Sequence, residues 1–398
     1  MSEFADRLEE LRESGLHRRL RLVEGRQGPR VTLDGRDVLL LCSNDYLGLA
    51  AHPRVRNAAA EAAMRWGAGA GASRLISGNM QPHQRLERRL AEFKGYESAL
   101  LFGSGYLANT GTIGALAGRG EVVFSDELNH ASIIDGCRLS RAETFVYRHA
   151  DLEHLAWGLR RAGERATLIV TDGVFSMDGH LAPLAELVQL AAAHGCRLMV
   201  DEAHATGTLG PGGRGSVAAA GLSDAVDVVI GTLGKALGSY GAYVCADRET
   251  TDYLLNTARP FIFSTAPAPP AVAAAQAAME LLAAQPERVE KLSANARTLR
   301  DSLAAEGLAV GTGATQIVPV EVGRPEATMA LCERALERGV FAQGIRPPTV
   351  PAGTSRLRFT VMSTHRRAEL EEAARTVGAA ARELGIATGA GAPQAVAA

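Results

Sequence analysis

The sequence predicts an α/β protein with a large domain, in which helices flank a mostly parallel sheet, and a smaller α+β domain at the C-terminus. From residue 46 to residue 285, short β-rich runs alternate with amphipathic segments such as Pro183–His194. This alternation is typical of parallel strands joined by crossover helices. After Pro286, helices alternate with strands at Ile317–Val322 and Arg356–Val361. The β-rich runs of the large domain are Ala99–Phe102, Glu121–Phe124, Thr167–Thr171, Arg197–Val200, Val226–Ile230 and Ala242–Cys245.

We expect four segments along the chain. Residues 1–45 are patterned like a helix followed by an extended hairpin, whose turn is indicated by Asp34–Gly35. Residues 46–285 form the large domain, and residues 286–385 form the small one. Residues 386–398 have a low-complexity composition, so we expect this tail to be disordered.

Composition excludes several classes of function. The 398 residues are 46% hydrophobic, which is enough for a large core, and the net charge of −2 gives no reason to expect nucleic acid or a membrane as partner. The apolar runs are too short to span a bilayer, and the first residues do not resemble a secretory signal. The five cysteines are scattered without a CxxC spacing. They predict reduced thiols in a cytoplasmic protein rather than disulfides or a metal site.

One lysine marks the candidate chemistry. Lys235 lies in the glycine-rich bend "IGTLGKALGSYG" (residues 230–241), between two apolar runs. A nucleotide-binding protein is the first alternative, because "VDEAH" (200–204) resembles the acidic box of a helicase. A phosphate loop, however, needs glycine five positions before its Gly-Lys pair and Ser or Thr after it. Val229 and Ala236 occupy those positions, so the sequence argues against this alternative.

Pyridoxal 5'-phosphate (PLP) is the cofactor that these residues favour. PLP needs an amine that forms an imine with its aldehyde, and a carboxylate that keeps its pyridine nitrogen protonated. Asp201 follows the apolar run Arg197–Val200, at the sheet edge where α/β proteins bind ligands. His204 could reach the ring hydroxyl. Taken singly, Asp201 could also be a helix cap and His204 an ordinary loop histidine.

Other polar residues follow neighbouring strands and point to the same edge. The run Phe102–Tyr106 leads from a strand through a glycine-rich turn into a helix, which suits a phosphate. His130 follows the next strand and could stack on a flat ring or merely cap a helix. Ser176 follows the strand Thr167–Thr171. This convergence favours a ligand site more than any single motif does.

Six motifs, in order, resemble the α-oxoamine synthases, which are fold-type-I PLP-dependent transferases that condense an amino acid with an acyl thioester. The resemblance covers nearly the whole chain. The motifs are "SNDYLGL" (43–49), "GAGASRLISGN" (69–79), "DELNHASIIDGCRLS" (126–140), "TDGVFSMDG" (171–179), "VDEAHATGTLG" (200–210) and "GTLGKALG" (231–238).

Within that family, "IRPPTVP" (345–351) resembles the signature of the biotin-pathway member. This resemblance implies L-alanine and a pimeloyl thioester, of coenzyme A or of acyl carrier protein, as substrates. A sibling enzyme that joins glycine to acetyl-CoA is the alternative. A non-catalytic descendant of the fold is disfavoured, because every expected chemical position is occupied.

The resemblance implies a role for each matching position of the cofactor site. Lys235 would bind PLP covalently and then act as base and acid at the substrate Cα. Asp201 would pair with the pyridinium nitrogen and His204 with the ring oxygen. His130 would stack on the ring and contact the substrate. The further cofactor contacts would be Gly105, Tyr106, Ser176 and Thr232, with Thr265 contributed across the interface of a homodimer.

The resemblance also implies the substrate contacts. Arg358 would bind the carboxylate of the amino acid, for which a guanidinium is well suited. For Arg356 we expect a position on the other face of the strand and a solvated charge.

Further substrate contacts are expected from the polar residues of the N-terminal and "IRPPTVP" segments. Asn44 and Thr349 would line the substrate pocket. Arg18 would anchor the pimeloyl carboxylate, and Arg19 and Arg21 remain alternatives for that role.

Overall fold

The computed structural model describes residues 2–386, so all but the first residue of the predicted disordered tail lies outside the described residues. The helices are α1 (Glu3–Glu13), α2 (Pro53–Trp66), α3 (Gln81–Lys94), α4 (Gly105–Leu116), α5 (Ala131–Ser140), α6 (Leu152–Ala162), α7 (Leu184–His194), α8 (Ser216–Ala219), α9 (Arg248–Thr257), α10 (Arg259–Ile262), α11 (Pro269–Ala284), α12 (Glu287–Ala305), α13 (Pro325–Glu337) and α14 (Arg367–Glu383). The strands are β1 (Val23–Glu24), β2 (Arg30–Leu33), β3 (Arg36–Leu40), β4 (Ser98–Phe102), β5 (Val122–Asp126), β6 (Glu143–Tyr147), β7 (Ala166–Asp172), β8 (Arg197–Asp201), β9 (Val228–Thr232), β10 (Ala242–Ala246), β11 (Ile317–Gly323), β12 (Val340–Phe341), β13 (Gln343–Ile345) and β14 (Ser355–Thr360).

The described residues form two compact units. The first contains residues 2–48, 177–179 and 290–386, and the second contains residues 49–176 and 180–289. This division into two units does not test the four segments expected from the sequence, which stay a prediction. No helix in residues 2–386 combines the length and the apolar character needed to cross a membrane.

The second unit is built on a seven-stranded sheet with the order β4-β10-β9-β8-β7-β5-β6. β10 runs antiparallel to both of its neighbours, and the other pairs are parallel. The two faces of β7 and β8 are both apolar, because Val170 and Met199 pack into one core cluster and Ile169 and Leu198 into another. A sheet buried on both faces is what crossover helices produce, and the predicted mostly parallel sheet is confirmed.

The parallel strands end at one edge of this sheet with polar residues. β7 ends at Asp172, β8 at Asp201 and β9 at Thr232. In the register of the sheet, Asp172 pairs with Asp201, and Asp201 with Ile230. Because parallel strands present their carboxyl ends together, the fold places these side chains at a common edge.

The first unit contains two smaller sheets. The order of one is β1-β2-β3-β12, and its β2–β3 hairpin turns at Asp34 and Gly35, whose φ angles are 50° and 78°. These two positive φ angles suit the predicted Asp-Gly turn. The other sheet has the antiparallel order β11-β14-β13. With the helices α13 and α14, it forms the predicted small α+β core, so the predicted fold class is confirmed.

Candidate active site

The bend that carries Lys235 is a tight connection between β9 and the antiparallel β10. The Leu233 N–H donates to the Gly241 carbonyl at 2.9 Å, and the Gly238 N–H donates to the Lys235 carbonyl at 2.9 Å. Gly238 has a φ of 59°, and a Cβ there would lie 2.3 Å from the backbone nitrogen of Ala50. Only glycine fits this position, so the glycines of the bend fix Lys235 at the carboxyl edge of β9.

The chain has only three lysines, and their environments differ. Lys94 is buried in an ion pair with Glu202 and donates to the Arg214 carbonyl. Lys291 is exposed on α12. Lys235 lines the pocket at the sheet edge. Lys94 is already paired with a carboxylate and Lys291 lies at the surface, so Lys235 is the candidate for covalent chemistry.

Asp201 is almost fully buried beside this lysine and has two fixed donors. Its Oδ1 accepts from the Ala203 N–H at 2.8 Å, and its Oδ2 accepts from Asn109 Nδ2 at 2.7 Å. His204, three residues on, is also buried and lines the same pocket. Both carboxylate oxygens of Asp201 are therefore held in a fixed orientation.

His130 and Asp172 complete the charged part of the pocket. The His130 N–H donates to Asp172 Oδ2 at 2.9 Å, and part of the imidazole ring stays exposed at the pocket. Desolvation lowers the pKa of His130; Asp201 opposes this and Lys235 adds to it. Burial and then the nearby Asp201 carboxylate raise the pKa of Asp172 well above its usual value. One of the two carboxyl groups is thus driven towards its neutral form.

The N-terminus of α4 supplies a site for an anion. The helix begins at Gly105, so its first N–H groups lack partners within the helix. A Cβ at Gly105 would lie 2.8 Å from Cγ2 of Thr232, so the two residues are in close approach. The buried Thr232 Oγ1 has no hydrogen-bond partner among residues 2–386. A phosphate oxygen accepts hydrogen bonds and would satisfy these donors.

The structure brings eight of the predicted cofactor residues together in one pocket of the second unit. They are Gly105, Tyr106, His130, Ser176, Asp201, His204, Thr232 and Lys235. Thr265 does not line this pocket; it is exposed and forms an isolated β-bridge with Ser73. Sequence reasoning missed Asn109, Ser132, Asp172 and Ala203, which also line it. Asp172 could have been found, because it ends an apolar run as Asp201 does.

The predicted substrate residues Arg18 and Thr349 line a separate cavity, of about 810 Å³, within the first unit. Arg21 lines it too, but its guanidinium is paired with Glu333 and Asp34. Arg19 lies 3.6 Å from Glu333. Arg18 forms no ion pair with any residue between 2 and 386.

Asn44 and Arg358 do not line that cavity but meet at the buried hydroxyl of Tyr46. Tyr46 Oη donates to Asn44 Oδ1 at 3.1 Å, and Arg358 hydrogen-bonds to Tyr46. The guanidinium of Arg358 is itself buried on β14. The two residues therefore form one polar group in the first unit.

The expectation of a solvated Arg356 is wrong. The residue is buried, forms an ion pair with Asp178, and donates from Nε to the Thr354 carbonyl at 2.9 Å. Residues two apart on a strand share a face, so Arg356 lies on the same face of β14 as Arg358, and the expected alternation to the other face is wrong as well.

A family model described as "aminotransferase class I and II" matches residues 36–377. The chain belongs to the class I and II aminotransferase family. A relative from Citrifermentans bemidjiense, named 8-amino-7-oxononanoate synthase, is 54% identical over 389 residues, which cover 97% of this chain and 100% of the relative.

Two solved structures share the fold. A serine palmitoyltransferase from S. paucimobilis with a bound PLP–myriocin aldimine is 34% identical, with a TM-score of 0.92 over 96% of this chain and 98% of that one. An 8-amino-7-oxononanoate synthase from Francisella tularensis is 26% identical, with a TM-score of 0.76 over 87% of this chain and 98% of that one.

These likenesses confirm several predictions. The fold-type-I PLP enzyme, PLP as its cofactor, and an acyltransferase of the 8-amino-7-oxononanoate synthase type are confirmed. The sibling that uses glycine is not favoured by these relatives.

Proposed function

We propose that the chain condenses L-alanine with a pimeloyl thioester to give 8-amino-7-oxononanoate, with release of CO₂ and the free thiol, in biotin biosynthesis. The observation that carries the proposal is the convergence of Lys235, Asp201 and His130 in one pocket at the carboxyl edge of a parallel sheet. The relatives that share this chain's length bear the name of that enzyme.

The pocket suits PLP because it contains charged side chains, and also hydrogen-bond donors that have no partner within the described part of the protein. The α4 N-terminus and the unpartnered Thr232 Oγ1 suit a phosphate, with Gly105 and Tyr106 as backbone donors. Asp201 would hold a proton on the ring nitrogen, and His204 would contact the ring oxygen. Ser176 would lie beside the cofactor, and the partly exposed ring of His130 would cover its face.

When bound, PLP supplies an electron sink that stabilises negative charge at the substrate Cα. The chain's own groups handle the protons. The amine of Lys235 would take the Cα proton of alanine and return a proton after decarboxylation, as a general base and then a general acid. The carboxylate of Asp201 would keep a positive charge on the ring, without which the sink is weak. His130 would contact the substrate from the open side of the pocket.

The remaining roles concern the substrates. The Arg358 guanidinium would fork onto the carboxylate of alanine, and Asn44, which shares the Tyr46 hydroxyl with it, would line the amino acid site. Arg18 is the favoured anchor for the distal carboxylate of the pimeloyl chain, because Arg19 and Arg21 are engaged by Glu333. Thr349 lines the same cavity as Arg18.

Product analysis tests the function. PLP-loaded protein is incubated with L-alanine or glycine, and with pimeloyl-CoA, pimeloyl carrier protein or acetyl-CoA, and products are identified by mass spectrometry. We expect 8-amino-7-oxononanoate from alanine with a pimeloyl thioester, and the two pimeloyl donors decide which thioester is used. A product from glycine and acetyl-CoA alone would replace this proposal with the sibling activity.

We further propose that the enzyme is a cytoplasmic homodimer in which Thr265 contacts the partner's phosphate site. The exposure of Thr265, away from the pocket of its own chain, supports this. Sedimentation of the active protein should give the mass of two chains, and a fully active monomer would contradict the proposal. Fractionation of cells should recover the activity with the cytoplasm.

A further inference from the structure

Asn109, on α4, is buried between Asp201 and Ser132. Its side chain is 1% exposed. Its Nδ2 lies 2.7 Å from Asp201 Oδ2 and 2.8 Å from the Ser132 hydroxyl oxygen. Its Oδ1 is buried and has no hydrogen-bond partner among residues 2–386. An unsatisfied buried carbonyl oxygen costs free energy, so the amide is oriented by what its nitrogen contacts.

The chemistry of the neighbours fixes the direction of each hydrogen bond. An ionised carboxylate only accepts, so the amide nitrogen and not the oxygen must face Asp201. The two hydrogens of that nitrogen then serve Asp201 and Ser132. The Ser132 hydroxyl, having accepted from Asn109, has its own hydrogen available for His130 Nδ1, which lies 2.7 Å away.

The direction of the hydrogen bond from the Ser132 hydroxyl also determines which ring nitrogen of His130 carries the proton. The backbone N–H of Ser132 also points to His130 Nδ1, at 3.2 Å. Two donors thus meet one ring nitrogen, and that nitrogen must be the acceptor. The proton of a neutral His130 ring is therefore on Nε2, and the ring stays uncharged in the pocket.

Asn109 also bears on how charge is divided between two buried carboxyl groups. Asp172 and Asp201 pair in the register of β7 and β8 and line the same pocket. Two buried carboxylates so placed disfavour each other's ionisation. Asn109 donates to Asp201 and not to Asp172, so its amide favours the charge on Asp201.

We propose that Asn109 is a positioning residue that keeps Asp201 ionised and, through Ser132, holds His130 as the neutral Nε2–H tautomer. The inference rests on the proposed function, in which Asp201 keeps the ring nitrogen of PLP protonated. Without the amide, the carboxylate becomes the better proton acceptor, and the shared proton moves from the ring nitrogen towards Asp201.

The test is the ¹⁵N NMR shift of PLP labelled at its ring nitrogen, measured in the PLP-loaded enzyme. The wild type should give the shift of a protonated pyridine. Asn109→Ala and Asn109→Leu both remove the donor, and leucine keeps the number and branching of the side-chain heavy atoms. In both variants we expect the shift to move towards that of the unprotonated ring. We also expect kcat to fall about tenfold, the effect of losing one hydrogen bond to a charged group.

Asn295→Ala is the matched control. Asn295 is also a buried amide and donates from Nδ2 to the Met362 and His365 carbonyls at 2.8 and 3.1 Å, but it belongs to the first unit. Its variant loses two buried hydrogen bonds and should keep the wild-type ¹⁵N shift. A shift that moves equally in this control would mean that general destabilisation, not Asn109, changes the ring nitrogen.

The outcomes separate this inference from the proposed function. If both Asn109 variants keep the wild-type shift and kcat, the amide has no role in charge and the inference is overturned, while the role of Asp201 stands. Loss of the cofactor from both variants also overturns the inference, because the amide is then needed for binding PLP rather than for dividing charge. If the wild type itself shows an unprotonated ring nitrogen, the proposed role of Asp201 fails, and the inference fails with it.

Discussion

At the scale of single residues, Lys235 is tested by its replacement. Lys235→Ala should abolish the protein–cofactor linkage that borohydride makes permanent, because a methyl group cannot form an imine. Mass spectrometry of the reduced and digested protein measures this directly, and with three lysines in the chain the labelled peptide is unambiguous. Lys291→Ala, at an exposed lysine, is the control and should be labelled like the wild type. Cofactor still attached to the Lys235→Ala protein would defeat the assignment.

Asp201→Asn tests the partner of the ring nitrogen. The variant keeps the shape of the side chain but loses its charge, so it should bind PLP and lose at least about a hundredfold in kcat, the scale of one preorganised electrostatic contact. Cofactor content is read from absorption and turnover from product formation. Asp247→Asn is the control, since Asp247 caps α9 at the surface and asparagine caps equally well. A kcat near the wild-type value in Asp201→Asn would contradict the role.

The sequence indicated the residues at strand ends but not the residues that orient them. Asp201 directly follows an apolar run, so its place at the sheet edge is readable from the chain. Asn109 lies on a helix of small and apolar residues, and its contact with Asp201 exists only once α4 packs across that edge. Arg356 was misjudged for a similar reason, because its partner Asp178 is far away in sequence.

At the scale of elements, the bend between β9 and β10 should depend on Gly238. Gly238→Ala adds a Cβ at 2.3 Å from the Ala50 nitrogen, in addition to the cost of its φ of 59°. We expect a loss in unfolding free energy of about 2–4 kcal/mol, from the strained φ and the clash together. Reduced PLP binding should accompany it, because Lys235 is displaced. Urea unfolding and cofactor titration measure the two effects.

Gly212→Ala separates the clash from the backbone strain. Gly212 has nearly the same φ, 58°, but nothing lies within 4 Å of the added Cβ. This variant should lose only about 1 kcal/mol, the cost of the left-handed backbone, and should bind PLP normally. Equal losses in the two variants would show that the approach to Ala50 is unimportant.

Strands were predictable where apolar runs are bounded by polar or glycine residues. The six predicted runs of the large domain each correspond to a strand of the seven-stranded sheet, within two residues at either end. β6 (Glu143–Tyr147) was missed although its Thr-Phe-Val-Tyr run could have indicated a strand; it is a largely exposed edge strand. The antiparallel direction of β10 could not be predicted either, since direction is set by the short bend that carries Lys235 and not by the strand's own residues.

At the scale of the whole molecule, stability should fall in mild acid, in part through His365. This histidine is buried in the first unit, and its Nδ1 accepts from the Met362 N–H at 2.8 Å. Burial lowers its pKa to about 4, although Glu369 and the backbone at Leu40 act in the opposite direction. The folded state therefore favours the neutral ring, whereas the unfolded chain takes up a proton near the usual pKa of about 6.5.

Acid lowers the stability because, as the pH falls, the unfolded chain binds the proton at a higher pH than the folded state does. The stability due to neutral His365 is fully present above about pH 6.5 and is lost as the pH falls towards 4, at a cost of about 2 kcal/mol between pH 7 and pH 5. His365→Asn keeps an acceptor for the Met362 N–H but does not titrate in this range. It should be less stable than the wild type at pH 7, and the difference should shrink by about 2 kcal/mol at pH 5. Urea unfolding of both proteins at the two pH values measures this, since other titrating groups contribute equally to both. Parallel pH dependence in the two proteins would show that His365 is protonated as readily in the folded molecule as in the unfolded chain.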